Sequence, residues 1–337
     1  METISPTSPL SSPPTPAASP WVQPAEAPAG PWVRGYFTGS GKTLFGLFLA
    51  NALLTLLTLG LYSPWAKVRW YKMLAHNSRV LDTPFDFHGR GIELLKGRLL
   101  ITVLAIGLMA MGQTSHLWEI QIQLIYQFSV MAAFFLVLPW VILAAYRFRL
   151  SRLSWRQIHF ACEGEFSAFV RRMYLDMLLV ILSLGLYFPM VSIRMHQYLW
   201  SRIRLGNLRF TTDAGGMDYY RLYTWNALLT LLTLGVFRPW MVMNLTRYRF
   251  SRLRLEGAPF QFTGKGGAYL WLVLGNFAIV ILTLQLGRPW AMARTYRFYA
   301  DHLMVHASVP LDKLQQHSVT LKRGVAEELA DFLDIGM

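Results

Sequence analysis

Hydrophobic positions in this chain fall into unbroken runs, each closed by the same punctuation. Leu44–Gly60 is the first run. Its 17 residues span about 26 Å as a helix, just short of a hydrocarbon core of about 30 Å. Gly60 and Pro64 end it, and Pro64 suits the first turn of a new helix, where its missing N–H is not needed. The pattern then changes. Trp65–Asn77 mixes Trp65, Trp70 and Tyr71 with Lys67, Arg69 and Lys72, which predicts a basic amphipathic helix at a membrane interface. Arg79–Gly89 (RVLDTPFDFHG) alternates Phe85 and Phe87 around Asp86 and predicts a short hairpin.

This order of elements repeats. Asn51–Gly60 recurs letter for letter at Asn226–Gly235. Looser copies occupy Asp176–Arg194 and Asn276–Arg294, and a degenerate one Tyr126–Ala144. The anchoring residues are Pro64, Pro139, Pro189, Pro239 and Pro289; the last four stand 50 residues apart and the first gap is 75. A fixed period of this size marks a repeat architecture. The break set is Gly60, Pro64, Trp65, Pro139, Trp140, Gly185, Pro189, Gly235, Pro239, Trp240, Pro289 and Trp290. Hairpin-like segments return at Arg152–Ala161, Arg202–Thr211 and Arg252–Gly264. The wide first gap holds an inserted helix, Leu94–Gly112. Phe135 stands where copies one, three and four have Gly60, Gly185 and Gly235, so Tyr126–Arg147 is expected to run on as one span.

The fold expected is therefore an all-α polytopic membrane protein. It would be a helical bundle of about five pseudo-repeats with short cytoplasmic β-hairpins between them. Three regions follow: a Pro/Ser-rich disordered leader over 1–33, a membrane domain over 34–307 with the inserted helix at 94–112, and a cytoplasmic tail over 308–337. The 113–123 loop has no Lys or Arg, whereas the other inter-span segments are basic, which places that loop outside and the rest in the cytoplasm. Single crossings would make the basic loops alternate sides. Either each unit enters and leaves on the cytoplasmic side as a helical hairpin, or some basic loops lie outside.

Composition sharpens this picture. The 337 residues are 54% hydrophobic and only 15% charged, with formal net charge +14. Nucleic-acid binders with such a charge are rarely this apolar, so the partners expected are the lipid bilayer and its anionic headgroups, with no nucleic acid. A homo-oligomer is compatible with the sequence. The single cysteine, Cys162, excludes a disulfide within the chain. Ser40-Gly41-Lys42-Thr43 imitates a phosphate loop, but Tyr36 stands where that motif needs glycine.

Polar residues recur inside the apolar runs at fixed offsets before each proline. They are Asn51, Thr55, Thr58, Asp176, Ser183, Asn226, Thr230, Thr233, Asn276 and Thr283, and the offsets share one helix face. Two readings stand: hydrogen-bonded glue between helices, or the lining of a polar pathway. After each proline a second face collects Arg69, Lys72, Arg147, Arg194, Arg247, Arg294 and Arg297. These would snorkel to headgroups, bind an anion, or pair with Asp176 and the acidic tail. His302 and His306 are four apart, yet no Glu follows His302 as in a zinc protease, and neither a metal nor any other cofactor is expected. Nothing has the spacing of a nucleophile and base, so no enzyme activity is expected.

The string LFGLFLANALLTLLTLGLYSPWAKVRWYKML, followed by LDTPFDFHG and repeated downstream, resembles the YjgN-like family of bacterial inner-membrane proteins of unknown function. The ending GVAEELADFLDIGM is similar to that family's close. The resemblance runs from Arg34 to Met337 and implies a multi-pass protein of the bacterial inner membrane, without implying an activity. Departures are the leader, Met190 in place of tryptophan, and Gln285 in place of glycine. A transporter or channel-like protein for a small solute or ion is the function expected; the alternative is a membrane scaffold or lipid-interacting protein without a pathway.

Overall fold

Each Gly…Pro-Trp break folds into one fixed turn. In the computed structural model, which describes residues 30–114, 118–163, 166–310 and 314, helix α1 (Gly41–Leu57) ends with Leu59 in the left-handed region at φ 49° and Gly60 at φ 91°. The Gly60 amide donates to Thr55 O over 2.7 Å and the Leu59 amide to Leu56 O, the pairing of a Schellman cap. The Thr58 hydroxyl donates to Leu54 O and accepts the Tyr62 amide at 3.0 Å, which leads the chain into α2 (Ser63–Asn77). Ser183, Thr233 and Thr283 hold the same lock between α5 (Phe166–Leu182) and α6 (Phe188–Arg202), α7 (Gly216–Leu232) and α8 (Arg238–Ser251), and α9 (Gly266–Leu282) and α10 (Arg288–His302). Gln285 keeps the turn at φ 75°, where the other copies use glycine. The leader up to residue 29, the tail beyond 314 and the centre of the 113–123 loop lie outside the described residues.

The second unit lacks the turn. Its hairpin is α3 (Gly91–Thr114) and α4 (Ile120–Ser151), and Pro139 sits inside α4. The arms have 24 and 32 residues, against 17 and 14 or 15 elsewhere, so the extra residues lengthen one hairpin in both arms.

The hairpins interlock. The first turn of α1, α3, α7 and α9 carries a glycine that faces the proline-led helix of the unit before it. A Cβ on Gly91 would strike Trp65, one on Gly266 would strike Trp240, and one on Gly41 would strike Trp290, which closes the ring from last unit to first. Met190 fills the same place against Gly216. The later part of the apolar helix turns to its own partner: Asn51 donates to Ala66 O, and Asn226 accepts from Asn244. Every apolar helix thus bridges two units.

The all-α expectation fails at the other end of the hairpins. Ten strands are present among the described residues: β1 (Trp32–Phe37), β2 (Ser78–Val80), β3 (Thr83–Phe87), β4 (Leu153–Trp155), β5 (Ile158–Cys162), β6 (Ile203–Leu205), β7 (Leu208–Thr212), β8 (Leu253–Leu255), β9 (Ala258–Phe262) and β10 (Leu303–His306). They do not remain separate hairpins. Each pairs antiparallel on both sides, and β1 meets both β2 and β10, so the sheet closes into one barrel. The physical reason is edge satisfaction: a three-residue hairpin alone would leave backbone N–H and C=O groups unpaired, and closure removes every edge. Tight turns at Leu81-Asp82, Arg156-Gln157 and Glu256-Gly257 have both central residues at positive φ, the geometry that matches strand twist. The strands alternate. Phe85 and Phe87 therefore share one strand face, as do Phe260 and Phe262. Phe85 and Phe260 line the cavity, while Phe87, at the end of β3, packs on Val68 and Phe148, and Phe262, at the end of β9, on Tyr299. The proline-led helices pack on these strand-end side chains, as where Phe37 at the end of β1 stacks on Tyr296.

Replacing Gln285 by glycine should stabilise the protein by about 0.5–1 kcal/mol, because a left-handed position strains a side chain. Gly266→Leu, which pushes on Trp240, should cost about 1–3 kcal/mol. Thermal unfolding of the detergent-solubilised variants checks both signs.

Candidate functional site

Each strand of the barrel turns at least one apolar residue inward. Phe85 stands opposite Trp155, Phe160 opposite Leu205, Phe210 opposite Leu255 and Phe260 opposite Val305 across the ladders. Val33 and Val80 complete the belt. Eight strands make a barrel that side chains just fill; ten leave room for more. That room continues between the helices, past Leu138, Ile142 and Tyr146 of α4, Met177 and Val180 of α5, and Val191 and Met195 of α6. The result is an axial cavity of about 1010 Å³, at the upper end of the range for small-molecule sites.

Very few polar groups reach this chamber. Ser192, His196, Arg249 and His306 do so. Arg249 Nη2 donates to Ser192 Oγ over 2.7 Å and to the Tyr219 hydroxyl, and the guanidinium lies over the Tyr219 ring. Its Nε is buried without a hydrogen-bond partner, as is His196 Nδ1. Burial, and then the charge of Arg249, push the His196 imidazole down to about 4, so it is neutral at physiological pH. His306 Nδ1 and Ser308 Oγ are hydrogen-bonded at 2.8 Å, and His302 Nδ1 donates to Phe298 O over 2.7 Å. Among the described residues no group of three His, Cys, Asp or Glu side chains could hold a metal.

The polar stripe lies elsewhere. None of its ten residues lines the axial chamber. Asn276 donates to Ala291 O and Thr295 Oγ1, and the Thr230 hydroxyl to Asn226 O. Asp176, 4% exposed, pairs with Arg194 at 2.9 Å and Arg172 at 3.5 Å beside a second pocket of about 520 Å³. In units one, three, four and five Asn51, Asp176, Asn226 and Asn276 therefore join the two helices, the hydroxyls bond mainly within their own helix and tip, and Thr55 adds its carbonyl to the turn.

The basic face is also largely engaged. Arg69 donates to the Tyr62 hydroxyl, and Arg194 to Asp176 and the Tyr187 hydroxyl. Arg247 and Arg297 donate to Gly264 O and Gly39 O, the loop carbonyls ahead of the next apolar helix. Gln197 does the same at Ala214 O. Arg294 lies close to Gly275, and Arg147 is partly buried on α4. Lys72, like Arg69, Arg294 and Arg297, stays exposed. Prolines 64, 139, 189, 239 and 289 are all buried. Sequence reasoning missed Ser192, His196 and Arg249. One signal was available: seven residues after the proline, copies one, two and five have Tyr71, Tyr146 and Tyr296, whereas copy three has His196.

The chain matches the family described as bacterial protein of unknown function (DUF898) over residues 33–225, 215–270 and 266–332. It belongs to this family. Within the DUF898 proteins, its resemblance to the YjgN type is supported by a curated relative. Inner membrane protein YjgN of Salmonella typhimurium is 27% identical over 153 residues, 45% of this chain and 36% of that protein. The matched part thus spans about a third of the relative's length. No solved structure matches this DUF898 chain.

If the stripe is glue, its loss is a stability effect. Asp176→Asn and Asn226→Leu should each destabilise by about 1–3 kcal/mol, since each removes a buried group that bonds a half-buried partner, Arg194 or Asn244. Chemical denaturation with a parallel ligand-retention assay separates this from a pathway role, in which retention would change and stability would not.

Proposed function

We propose that this protein resides in the bacterial inner membrane and binds a lipid-like molecule in its axial chamber. The observation that carries the reading is the lining: about 1010 Å³ bounded almost wholly by aliphatic and aromatic side chains. A polar solute or ion would lose its hydration there with little in return. An apolar chain would be desolvated favourably, at about 25 cal/mol per Å² buried. The function is binding or transfer of that molecule, not catalysis, and the polar stripe is not its route.

The membrane part of the reading rests on three supports. The curated relative is named an inner membrane protein. Among the described residues α4 is long and apolar enough to cross a bilayer, and α3 is its hairpin partner. The tips of the four short hairpins end in leucines that are almost fully bare: Leu59 94%, Leu184 93%, Leu234 95% and Leu284 85% exposed. Such tips suit a hydrocarbon phase and not water. The long hairpin spans, while the short ones dip into the bilayer from the barrel side. Exposed Arg69, Lys72, Arg294 and Arg297 then meet anionic headgroups.

Mass spectrometry of lipid extracted from the purified, delipidated protein tests the chamber. Wild type should retain a stoichiometric hydrophobic ligand. Met177→Trp and Ile142→Trp, which fill the chamber from α5 and α4, should lower retention about tenfold while the melting temperature holds. Unchanged retention in both variants would end the proposal.

A further inference from the structure

The polar groups of the chamber define what its occupant carries at one end. Arg249 is a full positive charge in the wall of an apolar cavity. No carboxylate pairs with it among the described residues; its hydrogen bonds run to two hydroxyls, those of Ser192 and Tyr219. Guanidinium has five donors in a planar fork, and here Nε is buried with no acceptor. Arg249 is partly buried without a counter-charge, and a planar anion presenting two oxygens is the partner that fork geometry favours. His196 stands beside it with Nδ1 free of any partner.

Building on the chamber reading above, we infer that the occupant is a single-chain amphiphile with a carboxylate head, held by Arg249 and Ser192 with its hydrocarbon chain in the apolar cavity. One guanidinium balances one negative charge. A phosphate monoester carries about −1.5 to −2 and would need further cations at the same place. The chamber provides none: its other ionisable side chains are His196 and His306, besides the phenol of Tyr146. The residues equivalent to Arg249 are Leu74, Leu199 and Tyr299 in copies one, three and five and Arg149 in copy two, whose guanidinium lies over the Tyr71 ring and does not line the chamber. The site is thus a single asymmetric feature of a ring built from similar units.

The test uses the full chain in phosphatidylcholine nanodiscs, with radiolabelled oleate and oleyl alcohol as probes of equal chain length. Wild type should hold oleate about tenfold more tightly than the alcohol. Arg249→Gln should abolish that preference and leave alcohol binding within about twofold. Arg249→Lys should retain part of the preference, and Ser192→Ala should weaken oleate alone; these two keep the question open to refutation if Arg249→Gln does not fold. An undiminished preference in Arg249→Gln, or in Arg249→Lys and Ser192→Ala together, overturns the assignment. So does tighter binding of lysophosphatidate than of oleate, or oleate binding that requires deletion of residues 315–337. Failure to bind either probe would instead refute the chamber reading beneath it.

Discussion

Backbone closure of the barrel is the constraint on which this molecule depends. Each unit supplies one strand at its start and one at its end, and four of the ten strands have only three residues. Such strands cannot form a stable sheet within one unit. Only a ring in which the last strand finds the first, with Trp32 opposite His306, satisfies them all. The glycine contacts of Trp65, Met190, Trp240 and Trp290 make the same closure at the level of side chains. Backbone ladder and side-chain interlock therefore fix the same rotation between neighbouring units.

Closure also creates the chamber. A ladder that alternates sides must direct every second residue inward, and each of the ten strands places an apolar residue there. Phe37, Phe87 and Phe262 lie on the same strand faces but at strand ends, where they meet the helices. One short segment thus builds two hydrophobic surfaces, the chamber wall along its length and the helix seat at its end. The polar residues of the apolar helices are used up between helix partners, which leaves the axis free of them. What polarity the axis has comes from side chains that single copies turn to it, Ser192, His196, Arg249 and His306.

The turn at each hairpin tip shows how local chemistry serves this plan. A left-handed leucine is an unusual choice, and here it leaves Leu59 and its equivalents pointing away from the protein. The Schellman hydrogen bonds and the threonine or serine lock satisfy the backbone that such a tip would otherwise expose. Satisfying the backbone internally is what a segment needs when its surroundings offer no water. Asp176 follows the same logic: its charge is compensated by Arg194 of the partner helix, a pairing that the basic face after Pro189 had offered in the sequence.

By itself the sequence determined the helices, their breaks and their order, because these rest on local rules. A long apolar run, a glycine and a proline act within a few residues of one another, and Pro64 or Pro289 announces a helix start wherever it lies. Strand-like pieces were legible too, through Phe85 and Phe87. Their union into a barrel was not. Leu81-Asp82 and Arg156-Gln157 lack the glycine that signals a tight hairpin turn, and three residues are too few to show a period of two. The partner of Trp32 stands more than 270 residues away, and nothing local encodes such a pairing. Tertiary structure alone decided that the polar stripe would face its own unit and that Arg249 would face the axis, because a helix face acquires a meaning only when its neighbours are in place.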